Sequence, residues 1–228
     1  MKFKFLLGCT AVMPLFAWGA ASAQQDLAKV LAGKPDVDHG AELFGQCVTC
    51  HGPQGAGQLD GSVPRIAGQH YRVLARQIVD FRHGTRWDFR MEGVAASHKV
   101  LPGLQDITDV AWFVSTLNRD GARGVGDGLH AARGAEIYAA SCASCHGAQA
   151  EGNGAKEIPR LAGQHAGYLA RQIYDAVDGR RPPLSKTHGK RFAPLEFEEV
   201  LGLTDYLSRI GSIDATTAPG AAAPHASP

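Results

Sequence analysis

The chain has 228 residues, which is enough for one large domain or two small ones. Its 23 lysines and arginines nearly balance its 22 aspartates and glutamates, giving a formal net charge of +1. A protein that binds nucleic acid or an anionic membrane surface normally carries a clear basic excess, so neither partner is expected.

Residues 1–23 have the pattern of a cleaved secretory signal peptide. Lys2 and Lys4 precede an apolar run that is too short to span a membrane, and residues 21–23 (Ala-Ser-Ala) form the small-residue site that a signal peptidase cuts. We therefore expect export to the periplasm, with no membrane span in the mature chain. Lipidation of Cys9 after a lipoprotein-type leader is the alternative.

The four cysteines that remain after residue 23 all belong to two Cys-x-x-Cys-His motifs, "CVTCH" and "CASCH", which begin 95 residues apart. This spacing attaches a c-type haem, because two thiols bond the porphyrin and the histidine becomes an axial ligand of the iron. Two disulfides, a redox-active pair or a zinc site are the alternatives. We predict two covalently attached haem c groups, held by Cys47, Cys50 and His51 in the first motif and by Cys142, Cys145 and His146 in the second.

The two motifs open two copies of one unit. Residues 47–86 align without gaps on residues 142–181, and half of the positions are identical. Apolar residues recur at helical spacing and no strand alternation is evident, so we predict an all-α fold of two tandem haem-binding domains. Helices are expected near residues 70–82, 105–118, 165–177 and 195–210, with shorter ones ahead of each motif around Phe44 and Tyr138.

Composition indicates a linker between the domains and a tail at the end of the chain. The Gly-rich stretch 118–132 is expected to link the domains, and the Ala/Pro-rich end is expected to be disordered. The predicted domains are residues 24–119 and 120–212, followed by a tail of residues 213–228.

Each haem histidine needs a hydrogen-bond partner that fixes its ring, and the backbone carbonyls of Pro64 and Pro159, thirteen residues after His51 and His146, are the candidates. Removal of the leader leaves Met91 as the one methionine of the mature chain, within a polar stretch. It is the candidate sixth ligand of the first haem, with a role in the core as the alternative.

The repeated motifs resemble those of class I cytochromes c, in particular the dihaem cytochrome c4 type. The resemblance rests on the two Cys-x-x-Cys-His motifs, on "PRIAGQ" and "PRLAGQ", and on "LARQI" followed by Gly-x-Arg, and it covers residues 38–210. In that family a Gly-x-Arg segment leads to the axial methionine. The match of Gly84 and Arg86 therefore implies that Met91 binds the first iron.

The second copy departs from this pattern, because no methionine follows residue 91. Alignment of its Gly-x-Arg segment places Lys186 opposite Met91, and His188 lies two residues further on. We favour His188 as the sixth ligand, with Lys186 or an open iron as alternatives. Two nitrogen ligands would give the second haem the lower potential. Electrons would then enter through the second domain and leave through the first.

Four further side chains are candidates for hydrogen bonds to the haem propionates: Arg65, Gln69, Arg160 and Gln164. Together these features favour an electron carrier over an enzyme. The expected partners are redox proteins, with a dehydrogenase as donor and an oxidase or reductase as acceptor, and no nucleic acid. The alternatives are a small haem enzyme acting on peroxide or sulfur compounds through an open second iron, and the cytochrome subunit of a dehydrogenase complex.

Overall fold

The computed structural model describes residues 15–211, with side-chain environments from residue 21 onward except at residues 182, 183 and 185. Within that range the chain is helical, and its one β-bridge joins Asn153 to Ile158. No helix there is long and apolar enough to cross a membrane. The helices are α1 (Leu15–Ala32), α2 (Val37–Phe44), α3 (Val48–His51), α4 (Tyr71–Arg82), α5 (Phe89–Ala95), α6 (Leu104–Thr116), α7 (Ala131–Ser141), α8 (Ala143–His146), α9 (Ala166–Val177), α10 (Pro182–Phe192) and α11 (Phe197–Arg209).

The two domains repeat one arrangement. In the first, α2 crosses α6 and α4 packs on α6; in the second, α7 crosses α11 and α9 packs on α11. Each domain has its own cluster of buried apolar residues. An aromatic pair marks each crossing, with ring centres 5.5 Å apart for Phe44 and Phe113 and 5.7 Å apart for Tyr138 and Tyr206.

A glycine allows each crossing to be this close. A Cβ atom on Gly40 would lie 2.3 Å from the carbonyl oxygen of Asp109, and one on Gly134 would lie 2.0 Å from that of Gly202. Both separations are far below van der Waals contact, so a larger residue would push the helices apart. The helix that precedes each haem motif is thus held directly against the last helix of its domain.

Helix α1 adds a layer that the sequence analysis did not predict. Its residues Ala23, Leu27 and Val30 are buried against α4 and α6. The carbonyl oxygen of Val30 accepts hydrogen bonds from the hydroxyls of Tyr71, at 3.0 Å, and Thr108, at 2.8 Å. The predicted cleavage after Ala23 falls inside this helix and would leave Leu27 and Val30 in the core. Most of the predicted leader, and the predicted tail 213–228, lie outside the described residues.

Helices α4, α6, α9 and α11 lie within a few residues of their predicted positions, whereas α5 and α10, like α1, were not predicted. Helices α5 and α10 occupy the segments after the Gly-x-Arg turns, where the sequence had led us to predict no helix. The missed helices begin differently. The Asp88 side chain caps α5 by accepting hydrogen bonds from the backbone of Arg90 and Met91, while α10 begins with two prolines.

Two glutamines fasten the domains together across the boundary. The Gln69 carboxamide accepts a 2.9 Å hydrogen bond from the backbone N–H of Arg160 and donates a 2.9 Å bond to its carbonyl oxygen. The Gln164 carboxamide does the same with Arg65, at 2.9 and 2.8 Å. The repeat therefore extends to the domain contact, which has approximate twofold symmetry.

Candidate functional site

The first Cys-x-x-Cys-His motif forms the single helical turn α3, with Cys47 at its N-terminal cap. Cys47 is partly buried, Cys50 is exposed, and neither is in a disulfide. Burial raises the pKa of the Cys47 thiol to about 11. His51 is buried, and its Nδ1 donates a 3.0 Å hydrogen bond to the carbonyl oxygen of Pro64. Because a carbonyl only accepts, the proton is on Nδ1 and the Nε2 lone pair remains for a metal.

The second motif repeats this geometry on α8. His146 is buried and its Nδ1 donates to the carbonyl oxygen of Pro159 at 3.1 Å. Burial lowers the pKa of both motif histidines, which favours the neutral imidazole that a metal ligand needs. Cys142 and Cys145 are likewise outside any disulfide. Residues 64 and 159 thus occupy the positions that the sequence analysis expected of them.

In the first domain, Met91 lies in the first turn of α5 and is partly buried. Its backbone N–H donates to the Asp88 carboxylate at 3.3 Å, and the Arg90 guanidinium donates to the carbonyl oxygen of Ser62 at 3.0 Å. Asp88 and Arg90 are close enough for their charges to act on the His51 ring. The start of α5 therefore lies within electrostatic range of the first haem histidine.

In the second domain, α10 brings His188 close to the haem histidine His146. The centre of its ring is 6.1 Å from that of His146, and it stacks on Phe192 at 5.4 Å. The Thr187 hydroxyl donates to the carbonyl oxygen of Leu184 at 3.2 Å, so it accepts from Nδ1 of His188 at 2.6 Å. The Nε2 lone pair of His188 therefore stays available, as it does in the two motif histidines.

Charge and position favour His188 over Lys186, the other candidate sixth ligand on α10. Burial, helped by the charges of His146 and Arg191, lowers the pKa of His188 to about 4, so the ring is neutral near pH 7. Lys186 is exposed. A lysine must reach the iron and lose its proton to bind, whereas His188 already faces the His146 ring in its neutral form.

These residues fit a covalently bound haem. Each domain has two unpaired thiols beside a neutral imidazole whose free nitrogen is available, and the pair of rings in the second domain leaves room for one iron, since a metal–imidazole bond is about 2 Å. Within residues 15–211 no group of three or more His, Cys, Asp or Glu side chains could hold a metal, so the zinc alternative has no ligand set there. When bound, the haem iron supplies one-electron redox chemistry.

Three of the four predicted propionate contacts, Arg65, Gln69 and Gln164, have other partners in the structure. The carboxamides of Gln69 and Gln164 bind the backbone of the opposite domain, as described above. The Arg65 guanidinium is 2% exposed and donates to the carbonyl oxygens of Arg119, Gly121 and Ala122. The Nε atoms of Arg65 and Arg160 are buried and have no hydrogen-bond partner.

Sequence reasoning also missed two histidines. No role was assigned to His70 or His165 from the sequence, and the structure uses both at the domain boundary. His70 Nε2 donates to the carbonyl oxygen of Glu151 at 2.8 Å, and His165 Nε2 donates to that of Ala56 at 2.8 Å. Their occurrence at equivalent positions of both copies was the available signal.

Two helical domains, each with a Cys-x-x-Cys-His turn and a carbonyl-bound histidine, define a dihaem c-type cytochrome. The family profile described as Cytochrome c matches residues 37–118 and 131–210, so the chain belongs to the cytochrome c family and carries two covalently attached haem c groups.

Within that family the chain is similar to cytochrome c4. It is 28% identical over 188 residues to cytochrome c4 of Stutzerimonas stutzeri, covering 75% of this chain and 88% of that one. It is 31% identical over 179 residues to a thiosulfate dehydrogenase electron acceptor of S. stutzeri strain A1501, covering 72% and 79%. The solved structure of reduced recombinant cytochrome c4 from Pseudomonas stutzeri superimposes with a TM-score of 0.67 at 27% identity, over 78% of this chain and all of that one. The protein is thus a dihaem, cytochrome c4-like electron carrier.

Proposed function

We propose that this chain is exported to the periplasm and transfers electrons between redox proteins there, with both irons closed by two protein ligands. His51 and Met91 bind the first iron, and His146 and His188 bind the second. The observation that carries the proposal is the 6.1 Å separation of the His146 and His188 ring centres in the one domain that lacks a methionine.

An iron with both axial positions occupied by protein side chains suits an electron carrier, because no coordination position is left for a substrate. For the first haem the support is the position of the start of α5, where Asp88 and Arg90 are close enough for their charges to act on His51. For the second haem the support is the orientation of His188, held by Thr187 and by stacking on Phe192.

The two ligand sets imply a direction of electron flow. A methionine ligand raises the reduction potential relative to a second histidine, so the first haem is the stronger oxidant. Electrons enter through the second domain and leave through the first. A potentiometric titration of the holoprotein checks this: two separated midpoints are expected, and equal midpoints contradict the assigned direction.

The partners are proposed by class. A dehydrogenase is the donor and an oxidase or reductase is the acceptor. The similarity to a protein named thiosulfate dehydrogenase electron acceptor supports a dehydrogenase that oxidises an inorganic sulfur compound. The four motif cysteines are consumed by haem attachment, so none of them is left to take part in sulfur chemistry.

Carbon monoxide binding separates a carrier from a haem enzyme. The reduced holoprotein is titrated with carbon monoxide beside a His188→Ala variant, in which the second iron is opened deliberately. The carrier account predicts little binding to the unmodified protein and one equivalent to the variant. One equivalent bound by the unmodified protein would contradict it and favour an enzyme with an open second iron.

A further inference from the structure

Helix α1 covers one face of the first domain. Near its end, the carbonyl oxygen of Val30 accepts hydrogen bonds from the hydroxyls of Tyr71 in α4 and Thr108 in α6. Nearer its start, side chains of α1 form hydrogen bonds with Arg76 and His83 of α4. Helix α1 therefore lies along the surface where α4 and α6 meet.

The repeat identifies the corresponding face of the second domain. Helix α9 is the counterpart of α4, because residues 47–86 align with residues 142–181. Helix α11 is the counterpart of α6. The Val114 carbonyl oxygen in α6 accepts from the N–H of Gly68 at 3.0 Å, and the Leu207 carbonyl oxygen in α11 accepts from the N–H of Gly163, the equivalent of Gly68, at 2.9 Å. The face formed by α9 and α11 thus corresponds to the face that α1 covers.

No helix takes the place of α1 on this face within the described part of the second domain. Ala166 and Leu201 stand at the positions of Tyr71 and Thr108, and both line a cavity of about 280 Å³. The linker between the domains closes one side of this cavity through residues such as Val125. The cavity therefore lies where the end of α1 lies in the first domain.

The face is exposed and apolar at positions where its counterpart is buried. Leu201 is 38% exposed, whereas Thr108 is 1% exposed. Tyr174 is 36% exposed, whereas its counterpart Val79, one turn from the contacts of α1 on α4, is fully buried. Exposed apolar side chains that adjoin a cavity are typical of a surface that binds another protein segment. We call this surface the α9–α11 groove, and it consists of Ala166, Ala170, Tyr174, Leu201 and Thr204.

Unpaired negative charge lies at the end of the groove that corresponds to the end of α1. Asp127 of the linker is exposed and lines the cavity, and Glu198 is exposed in the first turn of α11. Among the described residues, neither carboxylate has a basic side chain within 4.0 Å. The counterpart of Glu198 is Gln105, which donates to the carbonyl oxygen of Lys34 just beyond α1 at 2.9 Å. A helix in the groove would therefore have these carboxylates near its C-terminal end.

We propose that the α9–α11 groove binds an amphipathic helix of a partner protein, in the way that the first domain binds α1. The buried residues of α1, Ala23, Leu27 and Val30, have the i, i+4, i+7 spacing with which helices enter apolar grooves. The partner helix has apolar side chains at this spacing. It also has a lysine or arginine in its last turn, as α1 has Lys29, to face the unpaired carboxylates. The proposal depends on the fold of the second domain and not on the ligands of either iron.

A fluorescently labelled peptide of residues 23–34, which includes the buried residues of α1, is the probe. Its binding to the full-length holoprotein is measured by fluorescence anisotropy. We expect saturable binding that Leu201→Glu weakens by about tenfold, because the added charge would be buried against the apolar face of the helix. Val37→Glu is the matched control. It adds the same charge at an apolar residue of the first domain that is 43% exposed, and it should leave binding unchanged.

The carboxylates are tested by two further variants, Asp127→Asn and Glu198→Gln. Each removes one exposed negative charge, and we expect each to weaken peptide binding by about twofold to threefold at low ionic strength. High ionic strength should abolish the difference, since salt screens exposed charges. The haem absorption spectrum verifies that every variant has folded with both haems. If Leu201→Glu does not fold, Tyr174→Glu is used in its place.

Four results would overturn the proposal. Absence of saturable binding would show that the groove does not accept a helix like α1. Binding that survives in Leu201→Glu would show that the peptide replaces α1 in the first domain. A dimer in sedimentation experiments that Leu201→Glu dissociates would show that a second copy of the chain occupies the groove. Binding that occurs only after removal of residues 212–228 would show that the end of the chain itself occupies it.

Discussion

Gln164 of the second domain holds the backbone of Arg65 in the first through two hydrogen bonds, of 2.9 and 2.8 Å, and both residues are almost fully buried. Arg65 directly follows Pro64, whose carbonyl oxygen fixes the His51 ring. The contact between domains is therefore one residue away from the group that orients a haem ligand. The repeat places Gln69 and Arg160 in the same relation to His146.

Replacement of Gln164 by leucine should weaken the domain contact. The N–H and carbonyl groups of Arg65 would lose their buried partner, and unsatisfied buried groups cost about 1–3 kcal/mol each. We expect the free energy of unfolding of the holoprotein, measured by denaturant titration, to fall by about 2 kcal/mol. Gln149→Leu, at an exposed position of the same domain, is the control and should change it little. Equal losses of unfolding free energy in the two variants would contradict the role of Gln164 in holding the two domains together.

The helix crossings predict a second stability effect. Gly134→Ala would force a Cβ atom to within 2.0 Å of the Gly202 carbonyl oxygen. Such overpacking costs about 1–3 kcal/mol, and the thermal midpoint of the holoprotein should fall accordingly. Gly93→Ala is the matched control, because this helical glycine has no atom within 4 Å of the added Cβ and alanine favours helices. A Gly134→Ala variant as stable as Gly93→Ala would show that α7 and α11 do not cross this closely.

The haem-attachment turns and the long helices could be predicted because their signals are local. Cys-x-x-Cys-His spacing and the helical periodicity around Val73, Leu74 and Ile78 need only neighbouring residues. Helix α10 was missed because its two prolines indicate a turn, although proline is well accepted in the first turn of a helix. The boundary contacts of Gln69 and His165 join residues about ninety or more positions apart, so no local pattern could indicate them.

Substitution of Met91 tests the first haem. Leucine has a similar volume but no donor atom, so Met91→Leu should open the first iron while the helix stays in place. The reduced variant is expected to bind one equivalent of carbon monoxide, and the higher midpoint potential should fall. Phe89→Leu, at an exposed position in the same helix, is the control. If Met91→Leu binds no more carbon monoxide than the unmodified protein, Met91 is not the ligand.

The buried ring of His165 predicts a dependence on pH. Burial lowers its pKa, aided by the charges of Arg65 and Arg119 and opposed by the Ala56 carbonyl and Asp60. The unfolded chain therefore takes up a proton near pH 6.5 that the folded protein does not. The stability from this neutral ring is complete above that pH. It is lost as the pH falls towards the folded pKa, at up to about 1.4 kcal/mol per pH unit.

Denaturant titrations of the holoprotein between pH 7.5 and pH 5 measure this slope. In His165→Gln the loss of stability on acidification should be smaller, because the titrating group is gone. His98→Gln, at an exposed position, should keep the wild-type slope. An unchanged slope in His165→Gln would contradict the assignment of the pH effect to this ring.

The central claim is that the second iron is closed by His146 and His188. Low-temperature electron paramagnetic resonance of the oxidised holoprotein tests it most directly, with His188→Ala and Lys186→Ala measured alongside. The account predicts a low-spin signal with two histidine ligands that survives in Lys186→Ala and is replaced by a high-spin signal in His188→Ala. A high-spin second haem in the unmodified protein, or loss of the low-spin signal in Lys186→Ala alone, would contradict it.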